Sequence, residues 1–393
     1  MINILPNNKT LRKVLFYGAL VRFFFFFVVI YFQDWIDPYL LADDVDYELR
    51  VQWYLRTANG YFDWNTAENL RQSMLIQQFW NYFICFTAKI LNTVYAARIF
   101  NCIFSILIIY EIFKLTIYIS NDKEAAIKAA KIYAYFPYAW IFCVFPFKDV
   151  LLSLSVFCIL LLFVKLQNNI KVSPLHILIS IILAFCIYYL RGGVVEFIAL
   201  IFILFFTDKF IKRREYGYII ILVICSILVF ANMGTFIEEA AMQKISDYNT
   251  TESISSGNLA MIQIKSFEEI WKLPFTYVFA MMSPGVINVG TNESIDWYVI
   301  YCYSNVMLLP LALGGFAYVF CKKHNTVFWT TSFLMYAAVI ALSIQSFRHY
   351  FFLFPVTVIN YALVRSFHSN IINKFIIWGS IVFFLLIFIY KLR

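Results

Sequence analysis

Long apolar runs alternate with short polar connections along this chain. Runs able to cross about 30 Å of hydrocarbon, roughly 20 residues or somewhat fewer, occur near 14–33, 96–118, 132–146, 150–167, 173–190, 193–208, 217–234, 297–320, 327–345, 350–364 and 375–391. Two further runs break the pattern: 75–94 carries Gln77, Gln78, Asn81, Thr87, Lys89 and Asn92, and 273–290 is interrupted by Ser283-Pro284-Gly285. Counting crossings decides how to read them. If neither crosses, the connections holding Lys123/Lys128/Lys131, Lys165/Lys171, Lys209/Lys212/Arg213/Arg214, Lys322/Lys323 and Arg365/Lys374 all fall on the side of the basic N-terminus (Lys9, Arg12, Lys13). That is the positive-inside pattern. If both cross, the basic connections between them flip outward, Lys212-Arg213-Arg214 included. The sequence therefore predicts an all-α polytopic membrane protein of about 11 spans, about 13 if both ambiguous runs span, with those two re-entrant or on the surface.

This parity puts two long loops, 34–95 and 235–296, on the outer side, capping one membrane domain that covers 1–393. Beside them lie three short outer corners: Phe145-Pro146-Phe147-Lys148-Asp149, Leu190-Arg191-Gly192-Gly193 and Ser346-Phe347-Arg348-His349-Tyr350. Amphipathic stretches at 66–74 and 236–247 read as caps over a cavity. In the first loop, Leu40-Leu41-Ala42-Asp43-Asp44-Val45-Asp46-Tyr47-Glu48-Leu49-Arg50 concentrates four carboxylates in six residues. A helix with its N-cap at Asp43 puts Asp43, Tyr47, Arg50 and Tyr54 on one face and Val45, Leu49 and Trp53 on another. Such a helix lies along the bilayer surface with its polar side towards a site.

Composition sharpens this picture. At 62% hydrophobic, 20% aromatic and 14% charged, with a mean hydropathy of +0.76, the chain is no water-soluble globular protein. The net charge of +8 reflects topology and not nucleic-acid binding, since the cations sit in connections. The N-terminal run is longer than a signal-peptide core and lacks a small-residue cleavage site, so a retained first span is expected. Eight cysteines, mostly within apolar runs, without Cys-x-x-Cys and without metal-like clustering with the four histidines, read as small core residues. The Phe23–Phe27 tract reads as mostly lipid-facing and interfacial packing.

Candidate chemistry gathers on the outer side. Lys148, Arg191 and Arg348 each mark an outer helix end where a lipid phosphate lies. Asp43 or Asp44 is placed to accept a proton from an attacking hydroxyl, with a neighbouring carboxylate or Tyr47 orienting it. Together these imply transfer of a group from a lipid phosphate to an acceptor hydroxyl. Each feature also has a plainer reading: a solvated acidic loop, a Lys148–Asp149 helix cap, interfacial snorkelling of Arg191 and Arg348. Asp44-Val45-Asp46 matches the Asp-x-Asp pattern that holds a divalent cation in nucleotide-sugar enzymes, a short motif that leaves a cation open without requiring one. Arg22, within the first span, must face the interior, for function or for an ion pair. Glu196 is placed to neutralise a cation such as Arg191, and His349 to bond a phosphate or sugar hydroxyl. His176, His324 and His368 receive no role.

Asp43-Asp44-Val45-Asp46-Tyr47 after a basic N-terminus and one span resembles the first outer loop of the type C membrane glycosyltransferases, which include bacterial relatives of protein mannosyltransferases and lipid A aminoarabinose transferases. Phe136-Pro137 followed by Phe147-Lys148-Asp149-Val150-Leu151-Leu152 is similar to that family's second outer corner. Ser346 to Pro355 is similar to its late Arg-containing corner. The resemblance implies transfer of a sugar from a polyprenyl-phosphate donor to a lipid-linked or glycan acceptor on the outer face of a bacterial cytoplasmic membrane, with inversion. It makes Asp43 or Asp44 the base and gives the donor phosphate to Lys148 and Arg348. Asp46, Tyr47, Arg50, Asp149, Arg191 and His349 complete the expected binding set. The usual Asp-Glu pair is Asp-Asp here, and no soluble domain follows the last run. The chain also resembles O-antigen and capsule repeat-unit polymerases. A lipid-linked sugar flippase is a third reading, which calls for charges deep within several spans and paired halves.

Overall fold

The computed structural model describes residues 9–33, 42–69, 78–190, 193–213, 351–352 and 354–367, with 271, 374, 377–378 and 381 as separate positions. The side chains of Asp43, Asp44 and Glu196 are outside that description, as are all of Arg191, Arg348 and His349 and the expected runs 217–234, 297–320 and 327–345. Among the described residues the protein is all-helical. In order the helices are α1 (Lys9–Tyr31), α2 (Ala42–Thr57), α3 (Trp64–Asn69), α4 (Gln78–Leu91), α5 (Ala96–Ser120), α6 (Lys123–Tyr135), α7 (Pro137–Val144), α8 (Asp149–Gln167), α9 (Pro174–Leu190), α10 (Gly193–Arg213) and α11 (Phe354–Phe367).

Three described helices, α1, α5 and α8, are long and apolar enough to cross a membrane. Their 23, 25 and 19 residues correspond to about 34, 37 and 28 Å at 1.5 Å per residue. Helix α8 is the central one, with apolar side chains buried all round, as expected of a helix surrounded by other helices. It packs on α5, α9 and α10, while α5 also meets α1, α6 and α7. By contrast α4, one of the two ambiguous runs, has 14 residues, about 21 Å. It packs under α2 and α3 and against α5 and α9.

The expected span 132–146 is a broken rod. Asp122 caps α6, its carboxylate accepting the amides of Glu124 at 2.8 Å and Ala125 at 3.0 Å, so the helix begins well before residue 132. Its alanine face (Ala125, Ala126, Ala129, Ala130, Ala134) is buried and its lysines Lys123, Lys128 and Lys131 are exposed. Pro137 then forces Phe136 into an extended conformation, with φ −71° and ψ 126°, ending α6 and opening α7. Trp140 spans the break: its indole N–H donates to the Tyr135 carbonyl at 3.3 Å, and its ring stacks on Phe25 of α1 at 4.0 Å. The phenylalanine tract is thus split between duties, with Phe24 and Phe27 exposed and Phe26 buried.

Arg22 lies fully buried where α1, α5 and α6 meet. Its guanidinium donates to Ser105 Oγ at 2.8 Å, to the Gly18 and Ala134 carbonyls at 3.0 Å and to the Tyr133 carbonyl at 3.3 Å. Backbone oxygens and a hydroxyl therefore meet the charge, where the sequence left a functional role or an ion pair open. Arginine suits this role because its fixed fork of donors reaches several acceptors at once.

Candidate functional site

Helix α2 starts at Ala42, one residue before the expected cap at Asp43, a difference within the fraying of helix ends. Leu49 and Trp53 are exposed, while Tyr47, Glu48, Val51 and Tyr54 are buried. The division of faces therefore follows the spacing, and the inward face carries Tyr47 and Tyr54 as predicted. Arg50 pairs with Asp46 one turn earlier and also donates to Asn81 Oδ1 of α4 at 3.4 Å. Two residues expected to bind substrate thus bond each other and hold α2 to α4.

The other end of α2 is fastened by its carbonyls. Lys89 of α4 donates to the Leu55 and Ala58 oxygens at 3.3 and 3.2 Å, a cation at the negative end of a helix dipole. Beyond it the chain closes a small loop on Tyr54, whose hydroxyl accepts the Asp63 amide at 2.9 Å and donates to the Tyr61 carbonyl at 3.3 Å. Burial pushes the Tyr54 phenol above its ordinary value, against the opposing bond from Asp63. Asp63 itself caps α3: its carboxylate accepts the Thr66 amide at 3.0 Å, the Thr66 hydroxyl at 2.8 Å and the Asn59 amide at 2.9 Å. These bonds hold its carboxyl below the ordinary range, the Thr66 amide contributing most.

The connection from α2 to the bundle core is Glu48, which forms a buried ion pair with Arg98 in the first turn of α5. The two are 4% and 1% exposed. The Arg98 guanidinium also lies 5.4 Å from the centre of the Phe145 ring, a cation–π contact. Asn101, one turn further along α5, donates to the carbonyls of both Phe145 and Phe147, each at 2.8 Å. Those residues bracket Pro146, and the Phe147 amide returns to the Phe145 carbonyl at 2.9 Å. Lys148 then sits at the N-cap of α8, with Asp149 in its first turn, and both side chains are buried. An acid at this position suits the positive end of the helix dipole.

Phe351 and Phe352 pack against the same region. Phe351 stacks on Phe142 at 4.3 Å, and Phe142 stacks on Phe147 at 4.7 Å. The Phe352 carbonyl accepts the Ser153 hydroxyl of α8 at 3.2 Å. Phe351 and Phe352 follow Arg348 by three and four residues.

One end of the bundle therefore joins α2, the turn 145–149 and 351–352. Of the expected site residues, Asp46, Tyr47, Arg50, Lys148 and Asp149 fall in this assembly. Glu48, Arg98, Asn101 and Asn81 were missed. Arg98 and Asn101 did carry a signal, as polar groups at helical spacing inside an apolar run. Among the described residues no cluster of three or more His, Cys, Asp or Glu side chains fits a metal ion. Among the described residues, fold and site together define an all-helical, membrane-embedded bundle with a polar assembly at one end of its helices. Compared with family models, curated proteins and solved structures, the chain matches none of them.

Proposed function

We propose that the protein is a membrane glycosyltransferase that moves a sugar from a polyprenyl-phosphate donor to an acceptor hydroxyl at the outer face of a bacterial cytoplasmic membrane. The observation that carries this reading is the linkage of α2, whose first turn contains Asp43 and Asp44, to the Lys148–Asp149 turn through Glu48, Arg98, Phe145 and Asn101. Sugar transfer from a lipid phosphate needs a base for the incoming hydroxyl and cations for the phosphate that leaves. The acidic first turn of α2 answers the first need. Lys148 answers the second, together with Arg348 and Arg191 of the other two outer corners expected from the sequence.

In the reaction the acceptor oxygen forms a bond to the anomeric carbon as the bond to the phosphate oxygen breaks. The carboxylate of Asp43 or Asp44 takes the hydroxyl proton, and the polyprenyl phosphate leaves with its charge met by the basic residues. The test uses purified protein in nanodiscs with radiolabelled sugars on undecaprenyl phosphate, screened against lipid-linked and glycan acceptors from membrane extract. Transfer should fall about 100- to 10,000-fold in Asp43→Asn or Asp44→Asn, whichever is the base, and about 100-fold or more in Lys148→Ala, with every variant inserted normally. Full transfer by both aspartate variants, or no transfer with any tested sugar and acceptor, overturns the proposal.

A further inference from the structure

The Glu48–Arg98 pair sits in a position that stability alone does not explain. Two charges removed from water roughly break even against two apolar side chains of the same volume, and both members of this pair are buried, with the Phe145 ring against the Arg98 guanidinium. What an ion pair supplies in such a place is registry. Helix α2 packs chiefly on α4 and α3, through Tyr47 on Trp80 and the bonds from Arg50 and Lys89. Those contacts fix α2 on α4, and the ion pair is what ties it to α5. A slide of one turn along that surface, about 5.4 Å, would separate the two buried charges of Glu48 and Arg98.

Arg98 also faces the turn. Its guanidinium lies against the Phe145 ring, and Asn101, three residues on, holds the carbonyls on either side of Pro146. One turn of α5 therefore grips α2 with one hand and the 145–149 turn with the other. We infer that Arg98 and Glu48 are positioning residues, setting the first turn of α2 against the Lys148–Asp149 turn without themselves touching the reacting groups. The inference rests on the sugar-transfer reading for its purpose, but the positioning can be measured without any sugar.

The experiment places spin labels at Leu49→Cys on α2 and Leu107→Cys on α5, both exposed positions, in full-length protein whose native cysteines are replaced by alanine. Pulsed electron resonance reads the distance distribution in nanodiscs, and melting temperature is followed in parallel. The unaltered pair should give one narrow peak. Arg98→Ala should broaden or split it, Glu48→Gln and Arg98→Lys should do so less, and the exchanged pair Glu48→Arg/Arg98→Glu should narrow it again. A narrow, unshifted peak in Arg98→Ala overturns the inference, even if the melting temperature falls, because the pair would then support the fold without setting the position of α2.

A second arm measures binding of undecaprenyl phosphate to the same preparations. Arg98→Ala should weaken it about tenfold through the displaced turn, and the exchanged pair should recover most of that loss. If the unaltered protein fails to bind undecaprenyl phosphate, the lipid-phosphate reading fails while the distance measurement still decides the positioning. If binding is intact and Arg98→Ala leaves both affinity and distance unchanged, the positioning fails and the lipid-phosphate reading stands.

Discussion

At Gly18 and Arg22 a single helix turn holds three helices together. A Cβ added at Gly18 would meet Ile109 Cδ1 at 2.9 Å and Ala134 Cβ at 3.3 Å, so α1 approaches α5 and α6 through the missing side chain, as small residues allow in membrane bundles. Ile109 Cδ1 is the free end of a rotatable chain, whereas Ala134 Cβ has nowhere to turn. Gly18→Ala should therefore cost about 1 kcal/mol and Gly18→Val about 3 kcal/mol, read as a fall in melting temperature in detergent. Arg22→Leu removes donors from Ser105 and from the Ala134 and Tyr133 carbonyls. With roughly 1.5–3 kcal/mol net for each hydrogen bond to a charged group, and part of that offset by the relieved burial of the charge, a loss of about 3 kcal/mol is expected. Arg22→Lys should recover only a fraction, since one ammonium cannot reach acceptors on two other helices. A melting temperature for Arg22→Leu equal to that of the unaltered protein would contradict this account.

Among the elements, α2 and α3 show where sequence patterns suffice and where they stop. The inward and outward faces of α2 were legible because a helix converts spacing into direction within a few residues. The Glu48–Arg98 pair was not, because its members are 50 residues apart in the chain and Glu48 looked like one of four equivalent acids. Similarly, the break at Pro137 was written in the sequence, but the early start of α6 was hidden, since its lysines made residues 123–131 look like a connection when only their alanine face is buried. The α3 cap leads to a pH prediction. Because the folded protein holds the Asp63 carboxyl below its ordinary value, the cap's contribution is fully present above about pH 4, the ordinary carboxylate range. It is lost as pH falls through that range and through the lower folded value. Pepsin cleavage at the exposed Tyr61-Phe62 pair, normalised to an unfolded substrate, should therefore rise as pH drops from 4.5 towards 2.5. Asp63→Ala should be cleaved readily already at pH 4.5, with little further change below it.

For the whole molecule, the alternation of helix ends is the step from packing to topology. The C-terminal end of α5 meets the C-terminal end of α8 through Asn168, whose amide donates to the Tyr118 carbonyl at 2.7 Å. The opposite ends meet where Asn101 grips the turn 145–147. Helix α5 thus carries the 120–123 connection and the 168–173 connection at one end and the α2 assembly at the other. The sequence expectation groups Lys123, Lys128, Lys131, Lys165 and Lys171 with the basic N-terminus on one side of the membrane, and the helix ends keep the two lysine-bearing connections together at one end of α5. This division gives a direct measurement. Asn121, Asn169 and Asn59 are all exposed, and Asn59 belongs to the loop between α2 and α3. In a chain with its native cysteines replaced, single cysteines at 121 and 169 should be shielded from a membrane-impermeant maleimide in intact cells and react after lysis. A cysteine at 59 should react in both conditions. Labelling of 59 and 121 from the same side would place the α2 assembly on the same side as the basic connections. The outer-face reaction would then be lost together with the eleven-span arrangement, while the contacts within the described bundle would be unaffected.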